Sequence, residues 1–211
     1  MSIFKKMPIE IMQIRMLTNA APEQLEHLTR VHHGYSIYMD EQSKVFKQEI
    51  IDDPNYSNDD KDLQLSFIDD ELYNSASIKN LLDELAIIGL YKTIEIKIKK
   101  IAKLSNIFTD SEIKNFYLYD KLKASFKDKG IDLEKLDYSS EYNELRLVCN
   151  CLKHSGIVDK KLSEFDSKKW IEGAEITNCK AIFERLLSPS LYLLHNLGVD
   201  LISLIPQDQS H

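Results

Sequence analysis

Residues 76–106 read Ala76-Ser-Ile-Lys-Asn-Leu-Leu-Asp-Glu-Leu-Ala-Ile-Ile-Gly-Leu-Tyr-Lys-Thr-Ile-Glu-Ile-Lys-Ile-Lys-Lys-Ile-Ala-Lys-Leu-Ser-Asn106. Apolar side chains recur there every three or four positions, which is the period of one face of an α-helix. The positions of this stripe are Leu81, Leu85, Ile88, Tyr91, Ile94, Ile98, Ile101 and Leu104. Residues 94–98 alternate like a strand, but so short an alternation inside a long helical pattern is weak evidence. We predict one long helix from about Ala76 to Asn106, capped by Ser75 or Ser77.

The composition favours an all-α fold for the whole chain. Only 6 of the 211 residues are Gly and 5 are Pro, which disfavours folds built on many tight turns. Hydrophobic residues make up 43% and charged residues 29%, as in a globular domain with its own core. We predict a single all-helical domain over residues 1–211, an up-and-down bundle of four to five long helices with an additional N-terminal helix.

Turn and breaker residues divide this domain into segments. The N-terminal helix is expected over about 22–52, and the acidic, turn-rich residues 53–60 that follow it are expected to form a loop. The C-terminal helices are expected over about 177–205, with Pro189 as a kink or a new helix start. The core of the domain is expected over about 75–162.

Capping signals mark the helices in the middle of the chain. Thr109 and Glu112 have the spacing of a capping box, which opens a helix that Gly130 stops. Ser139 or Ser140 is expected to cap the helix that follows.

The sequence contains no signal for secretion or for a membrane span. Three cysteines form no disulfide framework, which fits a reducing cytosol, and we expect Cys149 and Cys151 to be core residues. Residues 1–20 lack the apolar run and cleavage site of a secretory signal. The most apolar segment, residues 186–206, is interrupted by a proline and polar side chains, so it predicts a buried helix. We therefore predict a cytoplasmic protein that does not enter a membrane.

Polar side chains cluster in residues 144–156, Glu144-Leu-Arg-Leu-Val-Cys-Asn-Cys-Leu-Lys-His-Ser-Gly156. Arg146, Asn150 and His154 are spaced four apart, so they climb one side of a helix that ends at Gly156. An arginine, an amide and a titratable imidazole on a buried helix are costly to keep for packing alone. The combination suits binding an anionic ligand and moving a proton, as RNA cleavage requires.

Residues 144–156 resemble the signature helix of HEPN domains, the helical ribonuclease superfamily of toxin–antitoxin, phage-defence and CRISPR effector systems. The family's hallmark is an arginine followed, four to six residues on, by a histidine. Asn150 and His154 keep the family's Asn-three-residues-His spacing, whereas Arg146 lies one turn earlier, with seven residues between it and His154.

A second segment adds to the resemblance. Residues 90–98 are similar to the family's partner helix, in which an acidic residue, here Glu95, faces the motif arginine. The resemblance covers roughly residues 75–162. It implies an endoribonuclease that acts on RNA as a toxin or phage-defence effector, without metal or cofactor. It also implies a homodimer, with an antitoxin or another protein as a further partner.

The residues suggest a role for each site group. Histidine changes charge near neutral pH, so His154 is the expected acid or base, and Arg146 is the expected phosphate clamp. Asn150 would orient His154 or the phosphate, Glu95 would hold Arg146, and Lys153 would bind substrate. One helix offers one imidazole, so a two-fold dimer would supply both an acid and a base.

Simpler interpretations stay open. Arg146 and Glu95 can form a buried structural ion pair, and His154 can cap the carbonyls at its helix end. The lysines of the long helix, Lys92, Lys97, Lys99, Lys100 and Lys103, are typical of a solvated face. The net charge of −7 also counts against RNA binding, except through a local patch. The alternative function is a non-catalytic HEPN-like module that binds another protein or a nucleotide.

Overall fold

The fold is all-α, as the sequence predicts. The structure is a computed structural model that describes residues 8–19 and 23–205, without the side chains of 23–29, 31 and 32. These residues form no β-strand, and one isolated β-bridge joins Ile157 to Glu175. Their helices are α1 (Ile9–Asn19), α2 (Glu23–Asp52), α3 (Asn58–Ser105), α4 (Asp110–Lys114), α5 (Tyr119–Asp128), α6 (Ser139–His154), α7 (Lys160–Phe165) and α8 (Cys179–Leu204).

The described chain divides into two compact units. Residues 23–86, the hairpin unit, contain α2 and the first part of α3. Residues 8–19 and 87–205, the body, contain the second part of α3 and all the other helices.

The hairpin unit is an antiparallel pair of helices. Near one end His33 Nε2 lies 3.2 Å from Asp83 Oδ1, and farther along Lys47 forms an ion pair with Asp69. The turn is shorter than the loop predicted at 53–60, because Ser57 already caps α3 by accepting a hydrogen bond from the Asp60 amide at 3.2 Å.

Helix α3 therefore starts about five turns before the predicted Ala76, and the expected cap at Ser75 or Ser77 is wrong. Ser77 lies inside the helix, where its hydroxyl donates to the Tyr73 carbonyl. The helical period identifies an apolar face but does not mark where the helix begins, because residues 58–75 are polar enough to obscure the face.

The body is built around α3, α6 and α8. Helix α6 packs on α8, and α8 packs on α1. The largest fully buried side chains of the body are Ile14, Ile87, Leu90, Ile94, Ile101, Phe126, Leu145, Leu162, Leu186, Leu194, Leu197 and Leu201. Cys149 and Cys151 are buried as predicted.

The apolar stripe of α3 divides at the boundary between the units. From Ile94 to Ile101 the stripe is buried in the body, as predicted. Leu81 and Leu85, in the hairpin unit, are 54% and 46% exposed. The spacing correctly predicts that these two leucines share the stripe, but it does not tell whether another element covers them.

The helix predicted to run from the Thr109 cap to about Lys129 is broken. The capping box is confirmed, since the Thr109 hydroxyl accepts from the Glu112 amide and the Glu112 carboxylate accepts from the Thr109 amide. After α4, however, a 3₁₀ turn at Asn115–Tyr117 reorients the chain before α5. The turn buries Phe116 against Phe108 and Phe126, with ring centroids 5.5 Å from each. This aromatic packing offsets the lost helical hydrogen bonds.

The ends of α6 and α8 also differ from expectation. Tyr138, with φ +66°, precedes α6, and neither Ser139 nor Ser140 caps it. The Ser139 hydroxyl donates instead to the Glu134 carbonyl. Helix α8 continues through Pro189 without a new start. None of the described helices is both long and apolar enough to cross a bilayer.

Candidate functional site

Helix α6 carries most of the site residues predicted from sequence. Arg146 and Asn150 are half-buried, whereas Lys153 and His154 are exposed in the last turn. His154 lies eight positions after Arg146 along the helix, a rise of about 12 Å. The two side chains therefore belong to different parts of the same face.

Arg146 is held by Asn143 and Tyr119. Asn143 Oδ1 accepts from Arg146 Nη2 at 2.9 Å and from Nε at 3.2 Å. The guanidinium carbon lies 4.5 Å from the centroid of the Tyr119 ring, within cation–π range. These contacts direct the side chain toward the N-terminus of α6, as helical side chains generally point, and so away from His154.

The predicted contact between Glu95 and Arg146 is wrong. Glu95 is buried and pairs with its own helix neighbours, 2.7 Å from Lys99 Nζ and 3.2 Å from Lys92 Nζ. Burial raises the pKa of Glu95, but the hydrogen bonds from Lys99 and Lys92 outweigh this effect and lower it overall. Glu95 pairs with these lysines rather than with Arg146 because they lie one turn away on the same helix. No tertiary contact is needed to bring them together.

A cavity of about 330 Å³ opens beside Arg146. Its wall includes the Tyr119 ring and the hydroxyl-bearing Ser139 and Ser140. Two acids also line it, and Lys123 pairs with both, 2.7 Å from Glu134 Oε1 and 3.5 Å from Asp120 Oδ1. Among the described residues, Arg146 has no carboxylate partner, so it is the cation of this cavity that an anionic group could bind.

A row of tyrosines connects this cavity with the other end of the face. Tyr119 lies 6.3 Å from Tyr142, and Tyr142 stacks on Tyr91 at 6.0 Å between ring centroids. Lys153 Nζ lies 5.4 Å from the centroid of the Tyr91 ring. Burial, with the charge of Glu95 adding to it, raises the pKa of Tyr91 to about 12, so its hydroxyl stays protonated at neutral pH.

Lysines surround the C-terminal part of the face. Burial raises the pKa of the Cys149 thiol, and the charges of Lys153, Glu95 and Lys92 all act on this sulfur. The charged groups of α6 and α3 thus gather around Cys149, and Lys153 among them directly precedes the exposed His154 in the sequence. With Lys99, the group contains three lysines and one glutamate, a local positive excess in an acidic chain.

Glu144 anchors α6 from its opposite side. Arg185 of α8 donates to both carboxylate oxygens, at 2.8 and 2.9 Å, and Trp170 Nε1 donates at 2.9 Å. Lys169 is the third donor. Burial raises the pKa of Glu144, but these cations outweigh it and lower the pKa overall. The cluster fixes the helix that presents Arg146 and His154.

Sequence reasoning missed two contacts that shape the site. Asn143 is three residues before Arg146, and helical side chains at this spacing can contact each other. The contact could therefore have been predicted from the sequence. Tyr119 could not be found this way, because the 3₁₀ turn before α5 decides where its ring lies.

The chain matches no family model, no curated protein and no solved structure. The functional argument therefore depends on the geometry of the site.

Proposed function

We propose that this protein is a HEPN-like, metal-independent endoribonuclease that acts as a toxin or phage-defence effector. The observation that carries the proposal is the exposed pair Lys153 and His154 at the end of α6, where Lys153 and Lys92 of α3 both act on Cys149. The net charge of −7 counts against RNA binding by the chain as a whole. A local excess of lysines is compatible with RNA binding, because binding depends on the charges near the phosphates.

In the proposed reaction His154 accepts the proton of a ribose 2′-hydroxyl. The 2′-oxygen then attacks the adjacent phosphorus, and the bond from phosphorus to the 5′-oxygen breaks. The products are a 2′,3′-cyclic phosphate and a 5′-hydroxyl, whose proton comes from the same histidine of a second protomer in a homodimer. Lys153 stabilises the charge that develops on the phosphate.

The remaining site residues bind and position the RNA. Arg146, about 12 Å along the helix, binds a neighbouring phosphate of the same strand. Asn150 lies between Arg146 and His154 on this face and orients the scissile phosphate. Glu95 keeps Lys92 and Lys99 in place on α3 and is thus a positioning residue rather than a catalytic one.

The second candidate is a non-catalytic HEPN-like module that binds a nucleotide or another protein. The position of Arg146 favours it, because Asn143 and Tyr119 direct the guanidinium into the cavity and away from His154. An anionic group bound there would need no contribution from His154. An antitoxin is a partner consistent with either candidate.

An RNA cleavage assay tests the first candidate. Wild type, His154→Ala and Lys153→Ala are incubated with fluorescent RNA in EDTA, and the product ends are identified. Wild type is expected to yield 2′,3′-cyclic phosphate ends, His154→Ala to yield none, and Lys153→Ala to cleave about a hundredfold more slowly.

Lys160→Ala is the matched control for lost positive charge, because Lys160 is exposed on α7 and forms only a loose pair with Glu164 at 3.7 Å. It should cleave like wild type. Equal cleavage by wild type and His154→Ala would exclude His154 from the chemistry. No cleavage by wild type, together with nucleotide binding that Arg146→Ala abolishes, would favour the second candidate.

A further inference from the structure

The negative charge of the chain is concentrated in one unit. Residues 23–86 contain 15 Asp and Glu but only 5 Lys and Arg, a net charge of −10. The remaining residues contain 19 acidic and 22 basic side chains, a net charge of +3. We call residues 23–86 the acidic hairpin from here on.

The acidic hairpin also exposes an apolar face. On α3, the exposed side chains Leu63, Phe67, Ile78, Leu81 and Leu85 lie within about 60° of one another around the helix axis. They form two groups, Leu63 with Phe67 and Ile78 with Leu81 and Leu85, and grouped exposed apolar side chains mark an interaction surface more than scattered ones do. A two-helix hairpin has no further layer of its own with which to cover such groups.

A groove between α2 and α3 lies in the same unit. Its volume is about 210 Å³, and it is lined mainly by Tyr38, Met39, Phe46, Ile68 and Leu72. Tyr38 and Phe46 are 55% and 52% exposed, so the aromatic rim is open to solvent. The groove is smaller than the roughly 300–1,000 Å³ of typical small-molecule pockets, and its size suits an anchoring side chain of a larger partner.

A carboxylate lines this groove, and the unit around it is strongly acidic. Glu71 lines it and is exposed on α3. Asp40 and Glu41 of α2 and Asp70 of α3 do not line the groove, but they are exposed and add to the negative charge of the unit. An occupant must therefore combine apolar anchors with positive charge.

We propose that the acidic hairpin is a docking surface for a basic amphipathic helix of another protein. The apolar side of that helix fills the groove with its anchors, and its lysines and arginines meet Glu71 and the negative charge of the surrounding unit. A second copy of the hairpin would bring two surfaces of charge −10 together, which disfavours self-association through this unit. The proposal does not depend on RNA cleavage, since it uses no residue of the site around His154.

Peptide binding to the full-length chain tests the proposal. The probe is a fluorescein-labelled leucine–lysine peptide of about five helical turns with all leucines on one face. Its affinity is measured by fluorescence anisotropy. A peptide of the same composition in scrambled order, which has no apolar face, should bind at least about tenfold more weakly. A leucine–glutamate peptide should not bind.

Variants locate the binding surface. Phe46→Ser and Glu71→Lys should each weaken binding of the leucine–lysine peptide about tenfold or more. Ile171→Ser is the matched control, because Ile171 is 69% exposed in the body, and it should bind like wild type. Circular dichroism melts check that each variant folds, which is expected since Phe46 and Glu71 are exposed.

Three results would overturn the proposal. The groove is not the site if Phe46→Ser and Ile171→Ser have equal effects. Charge alone explains the binding if the scrambled peptide binds as tightly as the amphipathic one. The occupant is a second copy if sedimentation shows a dimer of the wild type that Phe46→Ser converts to a monomer.

Discussion

Gly198 of α8 lies directly against Thr18 of α1. A Cβ atom on Gly198 would stand 2.5 Å from Thr18 Cγ2, closer than two carbon atoms can pack, and 3.0 Å from Thr18 Oγ1. Thr18 is itself buried, and its hydroxyl donates to the Ile14 carbonyl one turn earlier. The absence of a side chain at position 198 thus allows α1 to pack on α8.

Gly198→Ala should therefore destabilise the body by about 1–3 kcal/mol, despite the better helix propensity of alanine. Gly34→Ala is the matched control, since Gly34 is also helical but a Cβ atom added there would meet no atom within 4 Å, and it should be neutral or slightly stabilising. Thermal denaturation measures both. Adding Thr18→Ala to Gly198→Ala should recover part of the loss, and an unchanged loss would show that the clash lies elsewhere.

Glu144→Ala should cost about 2–4 kcal/mol of unfolding free energy, because Arg185 and Lys169 lose their shared carboxylate and Trp170 its acceptor. Glu164→Ala, at an exposed pair, should cost less than about 1 kcal/mol. Urea denaturation of both variants measures the difference. Equal losses would mean that the buried cluster contributes no more than a surface ion pair.

Low pH should lower the stability of the fold through the carboxylate of Glu144. The pKa of Glu144 is lower in the folded protein than its ordinary value of 4.5, so the folded state favours the charged form. Its contribution to stability is complete above that value and is lost as the pH falls through the folded pKa. The difference in stability between wild type and Glu144→Gln should shrink as the pH drops below 4.5. A constant difference down to acid unfolding would contradict the lowered pKa.

Arg146 should couple to Asn143 and not to Glu95. A double-mutant cycle of Arg146→Ala with Asn143→Ala should give a coupling of about 0.5–1.5 kcal/mol, as for a typical hydrogen bond between part-buried side chains. The cycle of Arg146→Ala with Glu95→Ala should give a coupling below about 0.5 kcal/mol. Strong coupling to Glu95 would restore the ion pair expected from the sequence.

Thr109→Ala should cost about 1 kcal/mol, because α4 loses its capping box. Thr109→Ser keeps the hydroxyl and should retain most of this stability. Thermal melts of the two variants compare the effects directly. Equal melting temperatures for Thr109→Ala and Thr109→Ser would show that the cap does not stabilise the fold.

Local patterns predicted the features that depend on local interactions. The capping box of Thr109 and Glu112 involves residues three apart, and the buried stripe from Ile94 to Ile101 follows from the helical period. The sequence therefore predicted the capping box and the buried stripe. It did not predict the exposure of Leu81, because an apolar face has the same helical period whether or not another element covers it.

At the candidate site, too, the sequence predicted positions along a helix but not contacts between helices. The sequence correctly placed Arg146, Asn150 and His154 on one helix, since that requires only helical geometry. It did not predict the direction of the Arg146 guanidinium, which Tyr119 of another helix helps to set. Whether these residues cleave RNA stays a prediction.

The distribution of the thiols has a practical consequence. Cys149, Cys151 and Cys179 are all buried in the body, and residues 23–86 contain no cysteine. A thiol reagent can react with these sulfurs only when the body opens, so the rate of labelling measures that opening alone. Circular dichroism records the helices of both units. Comparison of the two readouts during denaturation would reveal whether residues 23–86 melt separately, without an engineered probe.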